Sequence, residues 1–136
     1  MYRWLCQLRV APYSYDWIDN RGRRSPRRLT PGLEALAVGQ RAMTIFEIAA
    51  FEWGRHLTLA TPEGGRGERL FGRTWVTYRV VPCGEGASRL LAKLRVAPPP
   101  GLHGWLVAHL LPLGDLVMMR KQLLTLARLA ELGDEP

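Results

Sequence analysis

Two regimes of hydrophobic spacing divide the chain. From Gly39 to Ala97 apolar residues recur at every second position, the period of a pleated strand, and from Leu102 to the end they recur at three and four, the period of a helix. In the first regime Met43, Ile45, Glu47, Ala49 and Phe51 fall on one face and Thr44, Phe46, Ile48 and Ala50 on the other. Trp53-Gly54-Arg55 then turns the chain into a second strand, His56–Thr61. After the loop Pro62–Gly67, a long strand is expected over Arg69–Val81, with Thr74, Val76, Tyr78 and Val80 alternating against Arg73, Trp75, Thr77 and Arg79. A turn at Cys83–Gly86 leads to the cleanest alternation, Ser88–Ala97, where Leu90, Ala92, Leu94 and Val96 point in and Arg89, Lys93 and Arg95 point out. This is an antiparallel meander with one wet and one buried face.

The flanks are helical or irregular. Tyr2–Arg9 predicts a short helix, uncapped at its start, with Leu5 and Leu8 on one face and Pro12 stopping it. An aromatic-rich loop over Ala11–Asn20 follows, then a basic segment, then Thr30-Pro31-Gly32-Leu33-Glu34, which has the residues to open a brief helical turn. Beyond Pro98–Gly101 two helices are expected. Leu102–Leu111 ends at Pro112, and a longer helix is capped by Asp115 and carries the stripe Leu116, Met119, Leu123, Leu126 and Ala130. Val117, Met118 and Leu124 widen that stripe, so the last helix is expected to be buried over more than half its girth. Gly133–Pro136 reads as a polar end. A sheet with one apolar face and a large apolar helix must cover each other. The pattern therefore predicts one α+β domain over residues 1–136, with the sheet packed on the C-terminal helix.

Composition narrows the classes. With 136 residues, 47% hydrophobic and 23% charged, the chain is sized and composed as a single folded domain. No apolar run reaches the roughly eighteen residues of a membrane span, since Leu102–Leu113 is interrupted by His103, Gly104, His109 and Pro112. The N-terminus lacks the apolar core and cleavage site of a secretory signal, and two cysteines, Cys6 and Cys83, make no disulfide framework or zinc spacing. A reduced, cytoplasmic protein is the expectation. The net charge of +7 is carried by seventeen Arg and two Lys. Only Arg21, Arg23, Arg24, Arg27 and Arg28 cluster, as a solvated basic loop or a contact for an anionic partner such as RNA or an acidic protein.

Catalytic signatures are absent: the chain has no nucleophile elbow, phosphate-binding loop, dinucleotide fingerprint or zinc-binding helix motif. Gly64-Gly65-Arg66-Gly67 lacks the Lys-Ser/Thr of a phosphate loop. His56, His103 and His109 are not spaced as a metal set, so no metal and no cofactor are expected. Cys6 reads as a small buried hydrophobe. Acid–base candidates are carboxylates and tyrosines facing an apolar interior, where burial moves a pKa toward neutrality. Glu47, on the face of Met43 and Ile45, is one; Asp16, Tyr13 and Tyr15 in the aromatic loop are others. Asp115 is assigned to helix capping.

The loop APYSYDWIDNRGRRSP (Ala11–Pro26), the strand pair MTIFEI and HLTLAT, and the ending LLPLGDLVMMRKQLLTLARLAE (Leu110–Glu131) resemble the SRPBCC, or START-like, superfamily. Its members have the helix-grip fold and include polyketide cyclases and dehydrases, lipid-transfer proteins and birch-pollen-allergen-like proteins. The resemblance runs through essentially the whole chain. It implies a helix-grip domain with a cavity between sheet and C-terminal helix, holding a hydrophobic small molecule or lipid. Phe46, Ile48, Trp75, Tyr78, Leu94, Met118, Met119 and Leu123 would line it, and Tyr13, Glu47 and His56 would be its polar groups. A cyclase- or dehydratase-like reaction is the enzymatic alternative. Family members begin with a strand that pairs with the last one, and this chain starts inside the helix that follows. A weakened or dimer-prone domain is expected from the open edge.

Overall fold

The computed structural model describes residues 1–133, so the polar end expected at the C-terminus lies, beyond Gly133, outside the described residues. The chain opens with helix α1 (Tyr2–Cys6), which tightens into a 3-10 turn at Gln7–Arg9, and a single helical turn, α2 (Asp16–Asp19), interrupts the aromatic loop. Strands β1 (Arg41–Ala42), β2 (Phe46–Glu52), β3 (His56–Ala60), β4 (Arg73–Pro82) and β5 (Ser88–Ala97) form an antiparallel curved sheet in sequence order. Helix α3 (Arg66–Phe71) sits between β3 and β4, and α4 (Gly101–Leu132) closes the chain. This is the α+β arrangement that the hydrophobic pattern predicts, a meander followed by a long helix.

Several local expectations give way. Met43 adopts a left-handed backbone at φ 51° and breaks the first expected strand into β1 and β2. A register shift between Ile48 and Ala50 then brings Phe51 onto the inner face with Phe46 and Ile48, where simple alternation separates them. The strand expected from Arg69 begins only at Arg73. The preceding residues form α3, whose Glu68 carboxylate accepts the Gly64 N–H at 2.5 Å, in the manner of a capping box. Helix then passes into strand through Gly72, at φ 81° and ψ 176°, a conformation close to exclusive to glycine. Pro31–Glu34 forms a turn without becoming a helix. Finally, α4 runs unbroken through Pro112, so Asp115 is an interior helical residue and caps nothing. Proline's fixed φ suits a helix. What is lost is one bond, because Pro112 has no N–H to offer the Ala108 carbonyl.

The core is a sandwich of three contributions. The inner sheet face supplies Ile48, Leu57, Leu59, Val76 and Tyr78, α1 and its 3-10 turn supply Trp4, Leu5 and Leu8, and α4 supplies Leu126 and Leu129. The short first helix thus occupies the middle of the space between the sheet and the last helix. Burial along α4 is correspondingly local, at Gly104, Val107, Gln122, Leu126 and Leu129. Leu116 is 67% exposed and Val117 and Leu124 each 54%, which overturns the expectation of a helix buried over most of its girth. A single sheet layer and a two-turn α1 are too small to cover a 32-residue helix. In its most apolar 18 residues α4 has a mean hydropathy of 1.3 and is only 11% buried, so by length and composition it meets the requirement for crossing a membrane. The sequence-based exclusion of such a segment fails because Pro112 does not end the helix.

Two buried polar groups tie the layers together. Tyr78 on β4 donates its hydroxyl to Gln122 Oε1 at 2.6 Å, and Gln122 Nε2 donates to the Pro12 carbonyl at 2.6 Å. Gln7 exchanges two hydrogen bonds with the backbone of Thr30, accepting its N–H at 2.8 Å and donating to its carbonyl at 3.3 Å. That clasp fixes the far end of the Arg-rich loop.

Candidate functional site

Because α1 fills the centre, the open space between sheet and helix is displaced to the sheet's edge. A groove of about 470 Å³ lies between β5 and the first two-thirds of α4. Ala92, Leu94 and Val96, the inward residues of β5, make one wall with Pro98; Val107, Ala108, Leu111, Pro112, Leu116 and Met119 make the other. The volume falls in the range of small-molecule sites, and the lining has their usual apolar character. Helical spacing brings residues 108, 111/112, 115 and 119 onto one side of α4, and β5's alternation puts 92, 94 and 96 opposite them.

One charged group lines this groove: Asp115, half-buried and without a hydrogen bond or ion pair to any other described residue. Burial pushes its carboxyl pKa above the ordinary aspartate value. Asp115 also stands close enough to Tyr78 for its charge to add to the burial that raises the tyrosine's pKa. In the window between about 3.9, the unfolded value, and the raised folded value, the native state keeps a proton that the unfolded chain has lost. Stability therefore falls as pH rises through that window. Asp19 is raised in the same direction by burial. Asp115→Asn is expected to stabilise the protein at neutral pH and to flatten this part of the profile; urea unfolding across pH checks both. An unchanged profile would show that Asp115 does not carry its charge into the groove.

The residues singled out in the sequence distribute as follows. Leu94 and Met119 line the groove. Ile48 and Tyr78 are fully buried, and Phe46 and Leu123 pack on the same core, where α1 has taken the place of a central cavity. Met118 is half-buried outside the groove lining. Trp75 alternates onto the outer sheet face, with the Arg73 guanidinium 5.6 Å from its ring. Glu47 pairs with Arg41 and Ala60 on that outer face, because the inward positions of β2 are its neighbours Phe46 and Ile48. His56 begins β3 with Nδ1 3.8 Å from Glu52, and it too lies outside the groove. Tyr13 is buried beneath the aromatic loop and reaches a second groove, not this one. Cys6 is fully buried, and its thiol pKa is pushed up to about 11 by burial, which leaves it inert near neutrality. Among the described residues no cluster of His, Cys, Asp or Glu is arranged to hold a metal.

Asp115 is the functional candidate that sequence reasoning missed. Its position three residues after a proline mimics a helix start, and only the continuity of α4 shows that its side chain has no capping role. No family model, no curated protein and no solved structure matches this chain.

Proposed function

We propose that this protein is a helix-grip domain of the SRPBCC or START-like kind that binds a hydrophobic small molecule or lipid between β5 and α4. The observation that carries the reading is the groove itself: about 470 Å³, apolar on both walls, with Asp115 as the charged residue of its lining. Desolvation of the apolar ligand supplies the affinity, and a protonated Asp115 orients it by donating a hydrogen bond. A neutral apolar ligand that covers Asp115 favours its protonated form, so affinity rises as pH falls through its titration. Titration with an environment-sensitive apolar probe tests this. Ala108→Trp, which fills the groove from the exposed side of α4, is expected to weaken the probe at least about tenfold without lowering stability. Equal binding by the variant would exclude the groove as the site.

The second reading is a cyclase- or dehydratase-like enzyme, and Asp115 is the observation that favours it. A carboxyl with a raised pKa in a partly dry groove is suited to general acid–base work. The two readings separate on Asp115→Asn: a carrier keeps its ligand unchanged and loses only the pH dependence, whereas an enzyme accumulates unconverted ligand. The proposal includes self-association, because β5 is an edge strand and an unpaired edge is a template for another strand. Sedimentation velocity is expected to show a concentration-dependent dimer, and a monomer throughout would contradict it.

A further inference from the structure

The second half of α4 bounds a different groove. Val117, Lys121, Leu124, Arg128 and Leu132 succeed one another at helical spacing, with Arg120 beside them, so cations and apolar side chains alternate along one face. The opposite wall is the aromatic loop, from Tyr13 to Asp16 and from Ser25 to Arg27, and the space between is about 770 Å³. Four cations, Arg27, Arg120, Lys121 and Arg128, face one carboxylate, Asp16. Asp16 is already engaged: it accepts the Ser25 backbone N–H at 2.8 Å and the Ser25 hydroxyl at 2.5 Å, which holds the loop closed on itself. None of the four cations is ion-paired with another described residue.

A second, independent feature lies in the same wall. Tyr13 is 1% exposed, and its hydroxyl is buried without a hydrogen-bond partner among the described residues. Its backbone is held at φ 56°, a left-handed conformation that a bulky residue rarely adopts. An unsatisfied buried hydroxyl costs stability in the empty protein. A ligand that offered this hydroxyl an acceptor would relieve that cost.

We propose that this groove binds an amphiphile with a single phosphate head, the phosphate among Arg27, Arg120, Lys121 and Arg128 with the Tyr13 hydroxyl as a further donor, and the chain along Val117, Leu124 and Leu132. The cations come from successive turns of α4 and from the loop, and their long side chains can converge on one dianionic phosphate, whose oxygens arginine forks match. Apolar residues between the cations suit a chain attached to that head. The site is separate from the β5–α4 groove and stands without it.

Calorimetric titration with dodecyl phosphate below its micelle concentration tests the assignment, with dodecyl maltoside and inorganic phosphate as comparisons. Dodecyl phosphate is expected to bind at one site, at least about tenfold more tightly than either comparison, and to weaken as salt is added. Arg120→Gln with Arg128→Gln is expected to lose at least about tenfold in affinity and most of the salt dependence, at unchanged stability. Tyr13→Phe is expected to weaken dodecyl phosphate several-fold while leaving the empty protein as stable or more so, a combination that a purely structural tyrosine does not give. Ala108→Trp is expected to leave this binding untouched. Equal affinity for dodecyl maltoside overturns the anionic head, and equal affinity for inorganic phosphate overturns the chain. Binding to vesicles of anionic lipid with none to monomeric dodecyl phosphate overturns the site in favour of a membrane surface.

Discussion

Gln122→Leu is expected to lower the unfolding free energy by about 2–4 kcal/mol, although it keeps the side chain's size and adds apolar surface to the interior. Gln122 is 4% exposed, and from α4 it hydrogen-bonds both β4 and the chain leaving the first helix. Leucine strands the Tyr78 hydroxyl and the Pro12 carbonyl, and each buried group without a partner costs about 1–3 kcal/mol. The gain from burying two more carbons, under about 2 kcal/mol at roughly 0.8 per methylene, does not offset two such losses. Adding Tyr78→Phe removes one of the stranded groups, so the double variant is expected to recover part of the loss, leaving only the Pro12 carbonyl. Urea unfolding of the three proteins checks the cycle. A single variant as stable as the parent would mean that Gln122 does not clamp the helix.

The second large effect is expected from Gly104→Ala. In an exposed helix this change stabilises by about 1 kcal/mol, because glycine is a poor helix former. Here Gly104 is buried in the first turns of α4, and a Cβ on it would run into the Pro99 carbonyl of the connection from β5. Backbone cannot yield as a flexible side chain does, so α4 must move away at its start, at a cost of about 1–3 kcal/mol typical of overpacking. The steric term therefore reverses the sign that propensity alone gives. The same shift separates Pro98 from Val107, which lie on opposite walls of the groove, so probe affinity falls although no lining residue has changed. Unaltered stability together with unaltered binding would show that the start of α4 is not held against Pro99.

The sheet was legible in the sequence wherever burial is one-sided and regular. β5 occupies the expected Ser88–Ala97, and Leu90, Ala92, Leu94 and Val96 are its less exposed positions. Alternation misleads at β2 because a register shift is a backbone event, with no residue signature beyond a run of small alanines. Pro112 and Asp115 misled in the same way: a proline followed by an aspartate is how helices often end and begin, yet proline's fixed φ lets α4 continue at the loss of one hydrogen bond. The open space lies at the sheet's edge because α1, which reads as a flank, packs into the core. Trp4, Leu5 and Leu8 are the residues that fill the centre, and their apolar character was visible, but which face of which sheet they meet is set by long-range packing. Of the groove, the inward face of β5 was readable, and Leu94 and Met119 are the residues named for a ligand that line it. Asp115 and the cation-lined second groove depend on the course of α4 and of the aromatic loop.

Native mass spectrometry of the protein purified from its own host tests the central claim most directly, because it registers an occupant of the β5–α4 groove before any ligand is guessed. The expected result is a small-molecule adduct that survives gentle ionisation, vanishes on denaturation and is missing from Ala108→Trp purified in the same way. A clean apo mass that takes up no apolar probe, or an adduct retained in full by Ala108→Trp, would contradict a ligand held between the last strand and the last helix.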